Sequence, residues 1–169
     1  MRIAWNDIAE SESPIDLGAT GWRTVSQGEV DLFALATGDA QFIHVDPDRA
    51  ANEGPYGGPV AHGYLLVALM PVLLAERIAL PPGAEVVNYG LDMLRFAAPV
   101  RVGERFRGRF VVTGRNRLAP GKTLVKVRAA IEIEDASRPA VIADSLIALV
   151  QFRETGRPRR RSVTVGARS

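Results

Sequence analysis

Asp39 and His44 stand five residues apart in Thr37-Gly38-Asp39-Ala40-Gln41-Phe42-Ile43-His44-Val45-Asp46-Pro47, in a chain with only two histidines. A neutral imidazole can take a proton from water, and a carboxylate can fix the ring or move a second proton. Gln41 lies between them and can donate or accept hydrogen bonds to orient a water. A second cluster, Gly57-Gly58-Pro59-Val60-Ala61-His62-Gly63, opens the longest apolar run of the sequence. The free N–H groups of a helix start can hold developing negative charge, and a glycine there lets a ligand approach closely. Together the two clusters point to acid–base chemistry at a carbonyl compound.

Each of these residues also has a plainer reading. Asp39 beside a glycine fits an ordinary turn residue. His44 fits a partly buried ring bonded to backbone, and His62 a structural residue first and a pocket-lining one second. Gln41 fits a solvated loop amide, and Asp46 an N-cap. His44, His62, Asp39 and Asp46 do include nitrogen and oxygen ligands for a metal. The chain lacks the paired i,i+4 histidines of a helix-borne zinc site, so no metal is expected.

The elements that must position these residues are legible in outline. Residues 1–20 have mixed character and are left unplaced. Trp22 to Val25 reads as a short strand. Ser26 with Glu29 has the spacing of a capping box, and Val30, Phe33 and Ala34 give the helical period of a segment from Gln27 to Thr37 that stops at Gly38. Asp46-Pro47-Asp48 marks another helix start, with Asp46 as N-cap and Pro47 in the first turn. From about Val60 to Ile78 a helix is expected that is apolar on nearly every face and must be surrounded. Pro71 removes one of its hydrogen bonds, and Pro81-Pro82-Gly83 ends it. Four β segments follow: Glu85 to Ala97, Glu104 to Gly114, Thr123 to Asp135 and Val141 to Arg153. The breaks between them, Pro99–Gly103, Asn116–Lys122 and Ala136–Pro139, read as hairpin-like. The expected fold class is α+β, a curved antiparallel sheet wrapped around one long apolar helix.

Composition excludes several function classes. The 169 residues suit one domain, expected over residues 1–153. No cysteine is present, so disulfides, thiolate zinc sites and thiol nucleophiles are impossible; this suits a reducing, cytoplasmic setting. The N-terminus reaches Asp7 too early for a secretory signal. The run from Val60 to Leu74 is too short for a membrane span, which needs about 20 mostly apolar residues. From Glu154 onward five arginines stand against one glutamate, so this tail carries +4 of the net +2 and leaves the rest at −2. The sequence pI of 9.4 therefore comes from a basic tail, residues 154–169, read as disordered and solvated, and nucleic-acid binding is not expected.

At its chemistry-bearing residues the chain resembles the MaoC-like, or (R)-specific enoyl-CoA hydratase, family of hot-dog-fold proteins. That family's motif runs approximately Gly-Asp-x-Asn-Pro-(aliphatic)-His, where this chain has Gly38-Asp39-Ala40-Gln41-Phe42-Ile43-His44. Val60-Ala61-His62-Gly63 resembles the family's element at the start of the central helix. The likeness is closest to single hot-dog hydratases related to nodulation protein N, whose Gly-Gly-x-x-Ala-His-Gly and Asn-Tyr-Gly elements recur as Gly57 to Gly63 and Asn88-Tyr89-Gly90. The departures are Gln41 for Asn and Phe42 for Pro.

The resemblance implies a hot-dog fold and a reversible syn hydration of a trans-2-enoyl thioester to the (R)-3-hydroxyacyl thioester. It assigns Asp39 and His44 as the catalytic pair holding one water, and Gly63 as the backbone donor to the thioester oxygen. Gln41, His62 and Gly58 are the further candidates for substrate or water contacts. It implies no cofactor beyond the coenzyme A or acyl-carrier-protein thioester that is itself the substrate, and a homodimer with the active site at the interface. A thioesterase on the same fold, which would release free thiol, and a non-catalytic acyl-thioester-binding subunit are the alternatives.

Overall fold

A computed structural model describes residues 1–151; the basic tail expected from residue 154 lies outside the described residues. In chain order the elements are β1 Ile3–Ala4, α1 Trp5–Glu10, β2 Ile15–Ala19, β3 Arg23–Thr24, α2 Gln27–Thr37, α3 Phe42–Val45, α4 Pro47–Asn52, α5 Gly63–Ala75, β4 Ile78–Ala79, β5 Ala84–Phe96, β6 Arg105–Ala119, β7 Lys122–Ile133 and β8 Val141–Gln151. The main sheet has six strands in the order β2-β6-β7-β8-β5, with β3 added beside β6, and all its pairings are antiparallel. With α5 packed against it, this is the expected hot-dog fold.

The sheet follows from alternation. On β7, Val125, Val127, Ala129 and Ile131 are buried while Lys126 and Arg128 point outward, because successive side chains leave opposite faces of a strand. The inward set packs with Leu66, Met70, Leu73 and Leu74 of α5 in a single core cluster. Each fully buried Val, Leu, Ile or Met among them contributes about 1.5–3 kcal/mol. On the outer face the basic residues are met by acids on other strands, adjacent or one strand further on. Arg107 pairs with Glu132 at 2.7 Å, Arg128 with Asp144 at 2.9 Å and Lys126 with Asp92 at 2.8 Å. No helix among the described residues is long and apolar enough to cross a membrane.

Two expectations for the central helix change. The central helix is shorter than Val60 to Ile78. Val60 and Ala61 are extended, bonded to Ile43 and Val100, and Ile78 belongs to β4, which runs parallel to β1. Backbone partners on other segments compete successfully for these residues, which an apolar run cannot reveal. Nor is α5 fully surrounded: Tyr64 and Val72 are exposed, and with Ala68 they form a stripe at i, i+4 and i+8.

The break at Pro99–Gly103 is not a hairpin. β5 pairs with β8 at the sheet edge, so residues 99–103 carry the chain across to β6. On the way they bond the segment that precedes α5: Ala61 N–H donates to the Val100 carbonyl and Val102 N–H to the Pro59 carbonyl. The other two breaks are hairpins, and the first is tighter than expected. β6 continues to Ala119 and turns over Pro120-Gly121, with Gly121 at φ 73°. Short β1, α1 and β2 occupy the unplaced first 20 residues.

α2 begins as its capping box requires. The Ser26 hydroxyl accepts from Glu29 N–H at 3.2 Å, and the Glu29 carboxylate accepts from Ser26 N–H at 2.8 Å. The helix ends on Gly38 in the left-handed region, φ 81°, a conformation that favours glycine. That turn releases the chain into Asp39. Replacing Ser26 with Ala removes the cap and is expected to cost about 1 kcal/mol. Thermal denaturation should show this as a fall in Tm of roughly 2–4 °C.

Candidate active site

Asp39 leaves α2 immediately after the Gly38 turn, and His44 lies on the single-turn helix α3 rather than on an open loop. His44 is 8% exposed. Its Nδ1 is 2.7 Å from the carbonyl oxygen of Val60. A carbonyl only accepts, so Nδ1 carries the proton and the neutral ring keeps its lone pair on Nε2. Val60 N–H in turn donates to the Ile43 carbonyl at 2.9 Å, so the two segments clasp each other beside the ring. Gln27, at the start of α2, donates through Nε2 to the His44 carbonyl at 2.7 Å.

Burial pushes His44 below the ordinary imidazole value. The bond to Val60 and the charge of Asp39 pull upward, and neighbouring His62 pulls downward. The net effect keeps the ring neutral at neutral pH, the state in which Nε2 can accept a proton.

His62 caps the start of α5 without a side-chain cap bond and is 2% exposed. Its Nε2 lies 2.9 Å from the Asp39 carbonyl oxygen. Its ring stacks on His44 with centroids 3.8 Å apart and planes 26° from parallel. A carboxylate oxygen of Asp39 and one nitrogen of each histidine lie within 4.8 Å of one another. That count of ligands would suit a metal, but the orientation does not. A shared ion must lie in both ring planes about 2 Å from each nitrogen. Two stacked, nearly parallel rings do not aim at one such point.

Gly63 is the first residue of α5. No acid occupies the first turn, so nothing on the helix offsets the positive end of its dipole. Leu65 and Leu66 N–H donate to the His62 carbonyl, and the N–H groups that precede them begin the helix without intrahelical acceptors. A Cβ at position 63 would sit 2.7 Å from the Phe96 ring, so only glycine fits this close approach. A cavity of about 360 Å³ reaches His44, Gly63, Tyr64 and Phe96. A larger apolar cavity of about 540 Å³ lies further along α5, lined by Val67, Met70, Pro71 and Leu74 and, across from them, by Asn88, Tyr89 and Gly90.

The expected residues separate into groups. Asp39, His44 and His62 come together. Gly63 shares the smaller cavity with His44, whereas Asp39 and His62 do not line it. Gln41 donates through Nε2 to an Asp39 carboxylate oxygen at 3.1 Å, so its amide is used on the acid itself. Gly58 sits in the preceding loop and does not line the cavity. Asp46 is an N-cap, accepting from Arg49 N–H at 3.0 Å. Sequence reading missed the Val60 carbonyl, Gln27 and Phe96. The first is a main-chain atom that leaves no trace in residue type, and the other two are separated from the site in sequence by ordinary helix and strand positions.

Residues 13–135 match the protein family described as MaoC like domain. The chain is 42% identical over 147 residues to nodulation protein N of Rhizobium meliloti, covering 85% of this chain and 89% of that protein. It is 42% identical over 134 residues to 3-hydroxyacyl-thioester dehydratase Z of Mycobacterium tuberculosis, covering 79% and 88%. Among solved structures, the (R)-hydratase from A. caviae involved in PHA biosynthesis superposes with a TM-score of 0.66 at 25% identity, covering 82% of this chain and 96% of that one.

An imidazole that binds protons less readily folded than unfolded makes acid favour unfolding. The native state then holds fewer protons below the unfolded value, near 6.5. The stability contributed by neutral His44 is therefore complete above about pH 6.5 and is lost as pH falls below it, down to the depressed folded value. Denaturant titrations between pH 7.5 and 5.5 should show stability falling more steeply in the native chain than in His44→Gln.

Proposed function

Because the chain belongs to the MaoC-like domain family, we propose that it is an (R)-specific enoyl-thioester hydratase, equally a 3-hydroxyacyl-thioester dehydratase. The observation that carries this reading is the grouping of Asp39 and neutral His44 beside the uncompensated start of α5. His44 Nε2 and the Asp39 carboxylate hold one water. The water oxygen adds to C3 of a trans-2-enoyl thioester while the pair takes one proton from that water. The same pair returns one proton to C2, so it ends as it began. As C3–O forms, electron density moves to the thioester oxygen, and Gly63 N–H meets that charge where a preorganised donor is worth most. Holding water and alkene in register supplies the rest of the acceleration. Hydration neither oxidises nor reduces, so no redox cofactor is required. The carrier is coenzyme A or acyl carrier protein, and the absence of cysteine suits a reaction run in the reducing cytoplasm.

The working unit is a homodimer. β5 is an edge strand of the main sheet, and Val87, Tyr89 and Leu91 on it are exposed, as are Tyr64 and Val72 on α5. An apolar edge strand left unpaired is a hazard that chains normally cover. Pairing two copies through β5 covers it and brings a second chain towards the cavities along α5.

Asp39→Asn keeps size and removes the acid, and should lower crotonyl-CoA hydration by roughly 10²–10⁴-fold. Loss of enoyl absorbance measures it; a fully active Asp39→Asn variant would sink the assignment. Release of free thiol from acyl-CoA, detected with a thiol-reactive dye, would instead favour a thioesterase. Tyr89→Asp, which places a charge on the β5 edge, should shift sedimentation from dimer towards monomer and depress turnover with it.

A further inference from the structure

His62 is a buried polar side chain that the proton chemistry above does not use. Its Nε2 is 2.9 Å from the Asp39 carbonyl oxygen, which can only accept, so Nε2 carries the proton. Nδ1 is then an unprotonated acceptor, and it is buried with no hydrogen-bond partner among the described residues. The ring's donor is thus committed to the main chain. An unpartnered buried nitrogen is also a burden that Leu or Phe would not carry, so space filling alone is a weak reason for histidine here.

What imidazole offers is a donor and a flat face in one small ring. The donor reaches the main chain of Asp39 from 23 positions away. One face carries the His44 ring at 3.8 Å. Phe33 of α2 packs against the same ring, with centroids 5.0 Å apart and planes at 52°. One side chain thus touches the backbone that bears the carboxylate, the ring that bears the lone pair, and the helix that delivers Asp39. The Gly38 turn alone would leave Asp39 on a flexible exit from α2.

We propose that His62 is the positioning residue of the reaction, fixing the separation and orientation of Asp39 and His44 through its Nε2–H···O=C bond and its stacked face. This rests on the hydratase reading given above, and makes no claim that His62 exchanges a proton with substrate. Two variants divide the roles. His62→Phe keeps a stackable face without the donor, and His62→Gln keeps a donor near the Nε2 position without the face.

The test has two arms on the full-length chain. In the first, nitrogen-15 spectra of the two histidines at pH 7.5 report which ring nitrogen of each is protonated. Nδ1–H at His44 and Nε2–H at His62 are expected, and Nδ1–H at His62 overturns the proposal. In the second, crotonyl-CoA hydration is measured beside circular dichroism and Tm. Misplacing a reacting group by an ångström costs roughly 10²-fold. His62→Phe and His62→Gln should each lose about 10- to 100-fold in kcat with KM changed less than about threefold, while remaining folded. His62→Ala, which lacks both contacts, should lose more. Native kcat in both the Phe and Gln variants overturns the proposal, as does a fall in kcat that only tracks the folded fraction. A native chain that fails to hydrate crotonyl-CoA counts against the hydratase reading instead. The spectra then decide the positioning claim alone: an unchanged His44 tautomer and line width in His62→Phe overturns it, and a mixture of tautomers supports it.

Discussion

The main chain of Val60 is clasped from both sides, and the site is built around that clasp. Its N–H donates to Ile43 and its carbonyl accepts from the ring of His44. The flanking residues are fixed to another segment altogether, Pro59 to Val102 and Ala61 to Val100. Four hydrogen bonds over three residues leave this short extended stretch little freedom, and three consequences follow. The tautomer of His44 is set, because a carbonyl can receive only a proton-bearing nitrogen. α5 is made to begin at Gly63, since the residues before it are committed elsewhere. His62 is delivered at the junction, with its ring lying over His44 and its Nε2 turned to Asp39.

Burial supplies the electrostatics. The core that places α5 against the sheet also removes water from His44, and that desolvation is the largest reason its ring stays neutral. The same burial leaves the start of α5 as a fixed positive end with no acid nearby on the helix. A base that is neutral at neutral pH and a donor site that needs no reorganisation thus arise from one packing arrangement. Phe96 completes it by lying against the Cα of Gly63, which accounts for glycine at a position where the backbone conformation itself makes no demand.

Charge on the outer face serves the sheet instead. Arg107 and Glu132 are direct cross-strand neighbours, as are Arg128 and Asp144. Arg128 is exposed but Asp144 is buried, and Arg107 and Glu132 are half-buried. Both pairs favour the observed register, since a slip by one residue would part each pair and turn the buried apolar set outward. Exposed apolar side chains lie on β5 and on the Tyr64, Ala68 and Val72 stripe, and also on α2 at Leu32 and Leu35. The proposed dimer uses the part on β5 and α5.

Much of this was readable from residue types because it is local. The capping box at Ser26, the stop at Gly38, the N-cap at Asp46 and the alternation along β7 each depend on neighbours within a few positions, so spacing alone reports them. The Asp39 and His44 pair was legible for the same reason, as was Gly63 at a helix start. The length of α5, the course of residues 99–103 and the uncovered stripe on the helix were not, because each depends on which distant backbone wins a hydrogen bond or which surface is left over after packing. His62 marks the boundary. The sequence by itself determined that a second histidine precedes the apolar helix. Only the tertiary structure decided which nitrogen carries its proton, what its face rests on and whose carbonyl it holds, since those partners come from segments 18 and 23 residues away.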